Sequence, residues 1–131
     1  MPLIEGARDV REIDVIAVEL DRDPHWGGWD TVPGDVIGTW EDERVHEVLG
    51  LVAALPEAEG MRCFVPSYAI RLRRGWSTLA EVAFCFQCHN GLLLTSGIAD
   101  TDMFTFDPDS KPAVELLRRF RALRPPTDDA A

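Results

Sequence analysis

The sequence holds no apolar run close to the ~20 residues that a membrane-spanning helix needs. It begins Met1-Pro2-Leu3-Ile4-Glu5-Gly6-Ala7-Arg8-Asp9, without a basic start followed by an apolar stretch. No signal peptide is therefore expected, and a cytoplasmic location is. Basic residues are few: 13 Lys and Arg stand against 23 Asp and Glu, a formal net charge of −10. Such a surface repels phosphate backbones and anionic membranes. The expected partner is another protein, of basic character, rather than nucleic acid or a membrane. Cysteine is scarce as well. There are only Cys63, Cys85 and Cys88, and an odd count in a reducing compartment argues against a purely structural disulfide framework.

Several motifs with known chemistry are missing. Gly27-Gly28 lacks the spacing and the Lys-Ser/Thr pair of a phosphate loop. Ser67, Ser77, Ser96 and Ser110 lack a nucleophile-elbow context. Asp100, Asp102, Asp107 and Asp109 fail the spacing of a calcium loop. His25, His46 and His89 are not paired by any helical motif. No catalytic constellation emerges, so an enzyme is not the expected reading.

What is present reads as an ordinary globular chain. Hydrophobic residues make up 46% of the 131 and charged residues 27%, enough for one buried core. Val10 to Leu20 alternates apolar and polar residues and predicts a strand. Asp21 to Pro33 is broken by Pro24, Gly27, Gly28 and Pro33 and predicts a loop; Asp35 to Trp40 predicts a short second strand. Asp42 can cap a helix that runs to Leu55, with Val45, Val48, Leu49, Val52 and Leu55 on one stripe and Pro56 at its end. Two alternating runs, Cys63–Leu72 and Leu79–Cys88, predict a β-meander, with a third run at Leu92–Thr95 after the turn signal Asn90-Gly91. Asp100 to Asp109 reads as a polar connection. A last helix from Ser110 has Val114, Leu117, Phe120 and Leu123 as its stripe. The expectation is a single α+β domain over 1–124: a mainly antiparallel sheet of four to five strands, two helices on one face, and a flexible tail over 125–131.

The cysteines can be placed by strand parity. Apolar residues occupy even positions in both runs of the meander, so those faces must coincide. A three-residue turn at Arg73-Arg74-Gly75 would pair Leu72 with Trp76, Tyr68 with Ala80, Phe64 with Phe84, and Cys63 with Cys85. Cys63 and Cys85 would then be cross-strand neighbours on the less apolar face, able to form a disulfide, and Cys88 would point into the apolar core. Two other readings stand beside this one. The three cysteines can be small buried hydrophobes. Alternatively, Cys63, Cys85, Cys88 and His89 are candidate ligands for zinc or another soft metal, because a Cys-x-x-Cys pair grips a cation when a tight turn presents both thiolates to one side. That last site requires the strand to break near Gln87. No cofactor is otherwise expected.

The segments Cys63-Phe64-Val65-Pro66-Ser67-Tyr68-Ala69-Ile70-Arg71 and Cys85-Phe86-Gln87-Cys88, with Val36-Ile37-Gly38-Thr39 upstream of the helix, resemble a group of small bacterial proteins. That group shares a Cys-Phe-x-Pro segment followed by a Cys-Phe-x-Cys strand. Several of its members carry His where this sequence has Tyr68. The resemblance covers roughly the middle half of the chain; it implies a shared fold and carries no activity with it.

The remaining feature is the loop Asp23-Pro24-His25-Trp26-Gly27-Gly28-Trp29-Asp30. Tryptophans on a glycine-containing loop supply rigid contact area, which makes His25, Trp26 and Trp29 candidate partner-binding residues. The competing reading folds both indoles over the sheet to complete the core. The function expected from the whole is a non-enzymatic, acidic interaction protein of the accessory or immunity type, with metal binding through the cysteine cluster as the alternative.

Overall fold

Alternation along the first apolar segment becomes β1 (Glu12–Val18) in the computed structural model, which describes residues 6–95 and 101–123. The expected tail at 125–131 lies outside these residues. The other strands are β2 (Gly34–Glu41), β3 (Tyr68–Arg74), β4 (Ser77–Cys85), β5 (Asn90–Thr95) and β6 (Thr101–Thr105), and the helices are α1 (Glu43–Ala53) and α2 (Lys111–Leu123). The strands form one sheet in the order β2-β1-β3-β4-β5-β6, antiparallel at every described pairing. β2 and β3 flank β1 and so run in the same direction, and the chain passes between them through α1. A parallel relation needs such a long crossover.

The architecture is the expected α+β one, with six strands where four or five were anticipated. The additional strand is β6, inside the stretch read as a polar connection. It pairs with β5 from Asn90↔Thr105 to Leu94↔Thr101. At the edge of the sheet it has one side unpaired among the described residues, and its mix of Thr, Asp, Met and Phe lacks the apolar density of an interior strand. Asn90-Gly91 is not a turn but the start of β5. A Cβ at Gly91 would strike the Phe104 ring on β6, so this glycine serves the close approach of an aromatic side chain.

Both helices cover the same face of the sheet. Their buried residues Val45, Val48, Val52, Ala113, Leu116 and Phe120 share a core with Ile13, Val15, Ile70, Leu72, Val82 and Phe84. Phe120 sits at its centre, with ring centroids 5.0 Å from Tyr68 and 5.8 Å from both Trp40 and Phe84. The stripe on α2 is rotated from the anticipated one. Ala113, Leu116 and Phe120 are buried, whereas Val114 is 54% exposed and Leu123 is 37% exposed. Seating Phe120 among the rings of Tyr68, Trp40, Phe84 and Phe86 fixes the rotation, and spacings of three and four then select Ala113 and Leu116. On α1, Asp42 precedes the helix, but its carboxylate makes no capping hydrogen bond.

This arrangement predicts contrasting costs on one helix. Phe120→Ala should lose about 3–5 kcal/mol of unfolding free energy in urea titrations. Val114→Ala should stay within about 0.5 kcal/mol, the range of ordinary surface changes. Equal losses at the two positions would contradict the rotation.

Candidate functional site

The other face of the sheet carries a second, smaller core, and all three cysteines belong to it or border it. Ile16, Ala69, Ala83, Cys85, Leu92 and Leu94 project from the strands, and Trp29, Val32, Phe64 and Cys88 close over them. The cover comes from three segments without strand structure: the loop between β1 and β2, a strap over residues 61–67 leading into β3, and the turn over residues 86–89.

Strand register explains how the strap arises. β3 and β4 pair with the expected even parity, but slipped by four residues from the anticipated match: Tyr68 faces Phe84 and Leu72 faces Ala80. A register shift after Leu72 then pairs Arg73 with Thr78 and Arg74 with Ser77. This bulge leaves a two-residue turn at Gly75-Trp76, with Gly75 at a φ of 60° where glycine is favoured. Trp76, expected opposite Leu72, is therefore fully exposed at the hairpin tip. Because of the slip, β3 begins only at Tyr68, and Cys63 lies on the strap, outside the ladder.

Cys85 faces the side inferred for it and Cys88 does not. β4 stops at Cys85, residues 86–89 form the turn, and His89 takes a φ of 59° before β5 begins. The broken alternation brings Cys88 back to the side of Cys85. The disulfide joins Cys63 to Cys88, with Cα atoms 5.6 Å apart, so the anticipated Cys63–Cys85 pairing and the burial of Cys88 under the helices are both overturned. Cys85 is the free cysteine and is buried. Its Sγ accepts the backbone N–H of Cys88 at 3.3 Å and that of Val65 at 3.4 Å. Cys63 is exposed, and His89 is half-buried.

The strap has further attachments beside the disulfide. Asn90 Nδ2 donates to the carbonyls of Met61 (3.1 Å) and Cys63 (2.8 Å), and the N–H of Met61 donates to Cys88 O at 3.0 Å. Asn90 Oδ1, on the same buried side chain, has no hydrogen-bond partner. Tyr68, where the resembling proteins carry His, faces the helices beside Phe120, on the opposite side of the sheet from the cysteines. In the disulfide-bonded form, no group of three His, Cys, Asp or Glu side chains among the described residues is arranged to hold a metal ion.

The tryptophan loop meets the strap at Phe64. Trp26 packs edge-on against that ring at 5.4 Å, and Trp29 lies 6.3 Å from it. The structure thus brings two separately inferred residue sets, loop and cysteines, to one end of the sheet. It divides the loop's own candidates. Trp29 is only 5% exposed and donates its indole N–H to Asp23 O at 2.9 Å, so it belongs to the core. Trp26 and His25 remain on the surface.

Sequence reasoning missed Glu81, which anchors this loop. Strand parity puts it only on the less apolar face of the meander, yet it is buried. Its carboxylate accepts the Val32 N–H (3.2 Å), the Thr31 hydroxyl (3.0 Å) and Arg71 Nε (3.0 Å). A matching pair lies one strand away, where Asp14 accepts Arg73 Nε at 2.6 Å, Arg73 Nη2 at 2.9 Å and the Thr39 hydroxyl at 2.9 Å. Both carboxylates would be costly to bury without these donors.

Burial alone would raise the Asp14 pKa. Hydrogen bonds from Arg73 and Thr39, with the charges of Arg73 and Arg71, outweigh burial and hold it below the ordinary 3.8. A depressed folded-state pKa contributes stability above the unfolded value and loses it as the pH falls through the folded one. Urea titrations across a pH series should therefore show wild type more stable than Asp14→Asn at neutral pH. That difference should shrink as the pH drops below 3.8. A difference that is independent of pH would contradict the assignment. No protein-family model, curated protein or solved structure matches this chain.

Proposed function

We propose that the protein is a non-enzymatic binding module that recognises a basic partner protein through the surface formed by Trp26, Met61 and Val65. The observation that carries this reading is their shared exposure on the clamped strap and its neighbouring loop: Trp26 is 37% exposed, Met61 55% and Val65 53%. Large apolar side chains held outward on a fixed backbone cost little ordering on association. Aromatic residues of this kind are also common anchors of protein interfaces. Here the backing is firm. Phe64 and Trp29 are buried beneath the surface, the disulfide and Asn90 fix the strap, and Glu81 fixes the loop.

Charge gives the partner its character. The net charge is −10, and Asp21, Asp23, Asp30, Glu57 and Glu59 flank the three apolar residues in the chain. A net negative charge accelerates encounter with a cationic surface and disfavours polyanions. His25 lies beside Trp26, its backbone N–H bound to Asp23 Oδ1 at 3.1 Å, and completes the loop's outward edge.

The test compares proteins captured from a lysate by immobilised wild type and by Val65→Asp. Val65 is exposed, so the variant should unfold at the same temperature as wild type. A partner of basic composition should be retained by wild type, weaken as salt is raised, and drop at least about tenfold with Val65→Asp, the scale of a lost interface anchor. Identical capture by both proteins would contradict the reading.

A further inference from the structure

The binding surface leaves the third cysteine without a role, yet the Cys85 sulfur accepts the backbone N–H of Cys88, which is itself bonded to Cys63. We propose that, when the disulfide is reduced, Cys63, Cys85 and Cys88 form a site for one soft divalent cation, zinc or cadmium in character. Three features support it. First, Cys85 and Cys88 flank a tight turn that returns both sulfurs to the same face of the sheet, the geometry in which a Cys-x-x-Cys pair shares a cation. Second, Cys63 already reaches Cys88, with a Cα separation of 5.6 Å. Third, the Cys85 sulfur is held by backbone donors from both neighbours, Cys88 and Val65, the latter two residues from Cys63. Hydrogen bonds of this kind orient metal ligands.

Oxidised and metal-bound forms exclude each other, because two of the sulfurs are joined in the former. Reduction by a phosphine breaks the S–S bond. The phosphine takes up the oxygen of one water molecule, and the two hydrogens of that water go to Cys63 and Cys88. Three thiols result. The cation then displaces three protons to solvent and forms three metal–sulfur bonds. Water or the neighbouring His89 supplies the fourth position usual for zinc. Thiolates select soft cations over magnesium or calcium.

The test uses the full chain reduced with a phosphine, freed of it without air, and titrated with cadmium ion. Sulfur-to-cadmium charge-transfer absorption should saturate at one equivalent in the reduced protein and be absent from the oxidised one. Cys85→Ser retains both disulfide partners, so its oxidised form should match the wild-type circular dichroism. Once reduced, it should bind at least about 10- to 100-fold more weakly, a loss that even a ligand's supporting partner can cause. Three results would overturn the proposal: no band at one equivalent, equal binding by the oxidised protein, or equal binding by reduced Cys85→Ser. Should reduction alone unfold the chain, cadmium must restore the oxidised protein's circular dichroism, and failure to do so overturns the proposal too.

Discussion

The end of β4 at Cys85 is the constraint on which the second face depends. Had the strand continued, its pleat would have sent Cys88 under the helices. Instead, the turn over residues 86–89 brings Cys88 round to the strap, where it bonds Cys63 across 25 residues of sequence. In the chain-entropy account, a loop of this size contributes roughly 3 kcal/mol by restricting the unfolded chain. Its local effect is more specific. The strap has no ladder of its own, and the disulfide with the two Asn90 hydrogen bonds holds it at the sheet, so that Phe64 can close the small core.

The two faces of the sheet are built differently because they bury different things. The helix-covered face is a conventional apolar core centred on Phe120. The opposite face is apolar at the cysteine end and ionic beyond it, where Asp14 and Glu81 are held by Arg73 and Arg71. Buried ion pairs are weak evidence for stability, since desolvation offsets much of their attraction. Their effect here is positional: Glu81 binds the loop backbone at Val32, and that loop carries Trp26 and Trp29. A rigid sheet thus presents a surface made almost entirely of non-regular chain. No helix among the described residues is long and apolar enough to cross a membrane.

Much of the fold was legible because it rests on periodicity. The alternation in β1, β3 and β4 and the three-to-four spacing in α1 are strong signals, and the structure follows them in element type and face. Failures occurred where one interaction overrode a local pattern. Phe120 rotated α2 away from Val114 and Leu123. The turn lies at Gly75-Trp76 rather than at Arg73–Gly75, and with the one-residue bulge after Leu72 this slips β3 against β4 by four residues while keeping parity, so the faces agree with the expectation and the partners do not. Parity could not reveal that slip, since any even shift preserves it. The candidate site is legible as residues but not as geometry: the sequence marks Cys63, Cys85 and Cys88, and their pairing depends on where a strand stops. Glu81 was invisible because an alternating polar residue looks the same whether solvent or a folded-back loop covers it.

Non-reducing proteolysis with mass mapping of the native chain tests the central claim most directly. Free thiols would be alkylated before and after unfolding. The structure predicts a single linked peptide pair containing Cys63 and Cys88, with Cys85 unlabelled in the native protein because it is buried and labelled once the chain is unfolded. A Cys63–Cys85 linkage, or rapid labelling of Cys85 in the native state, would contradict the turn at the end of β4 and the strap built upon it.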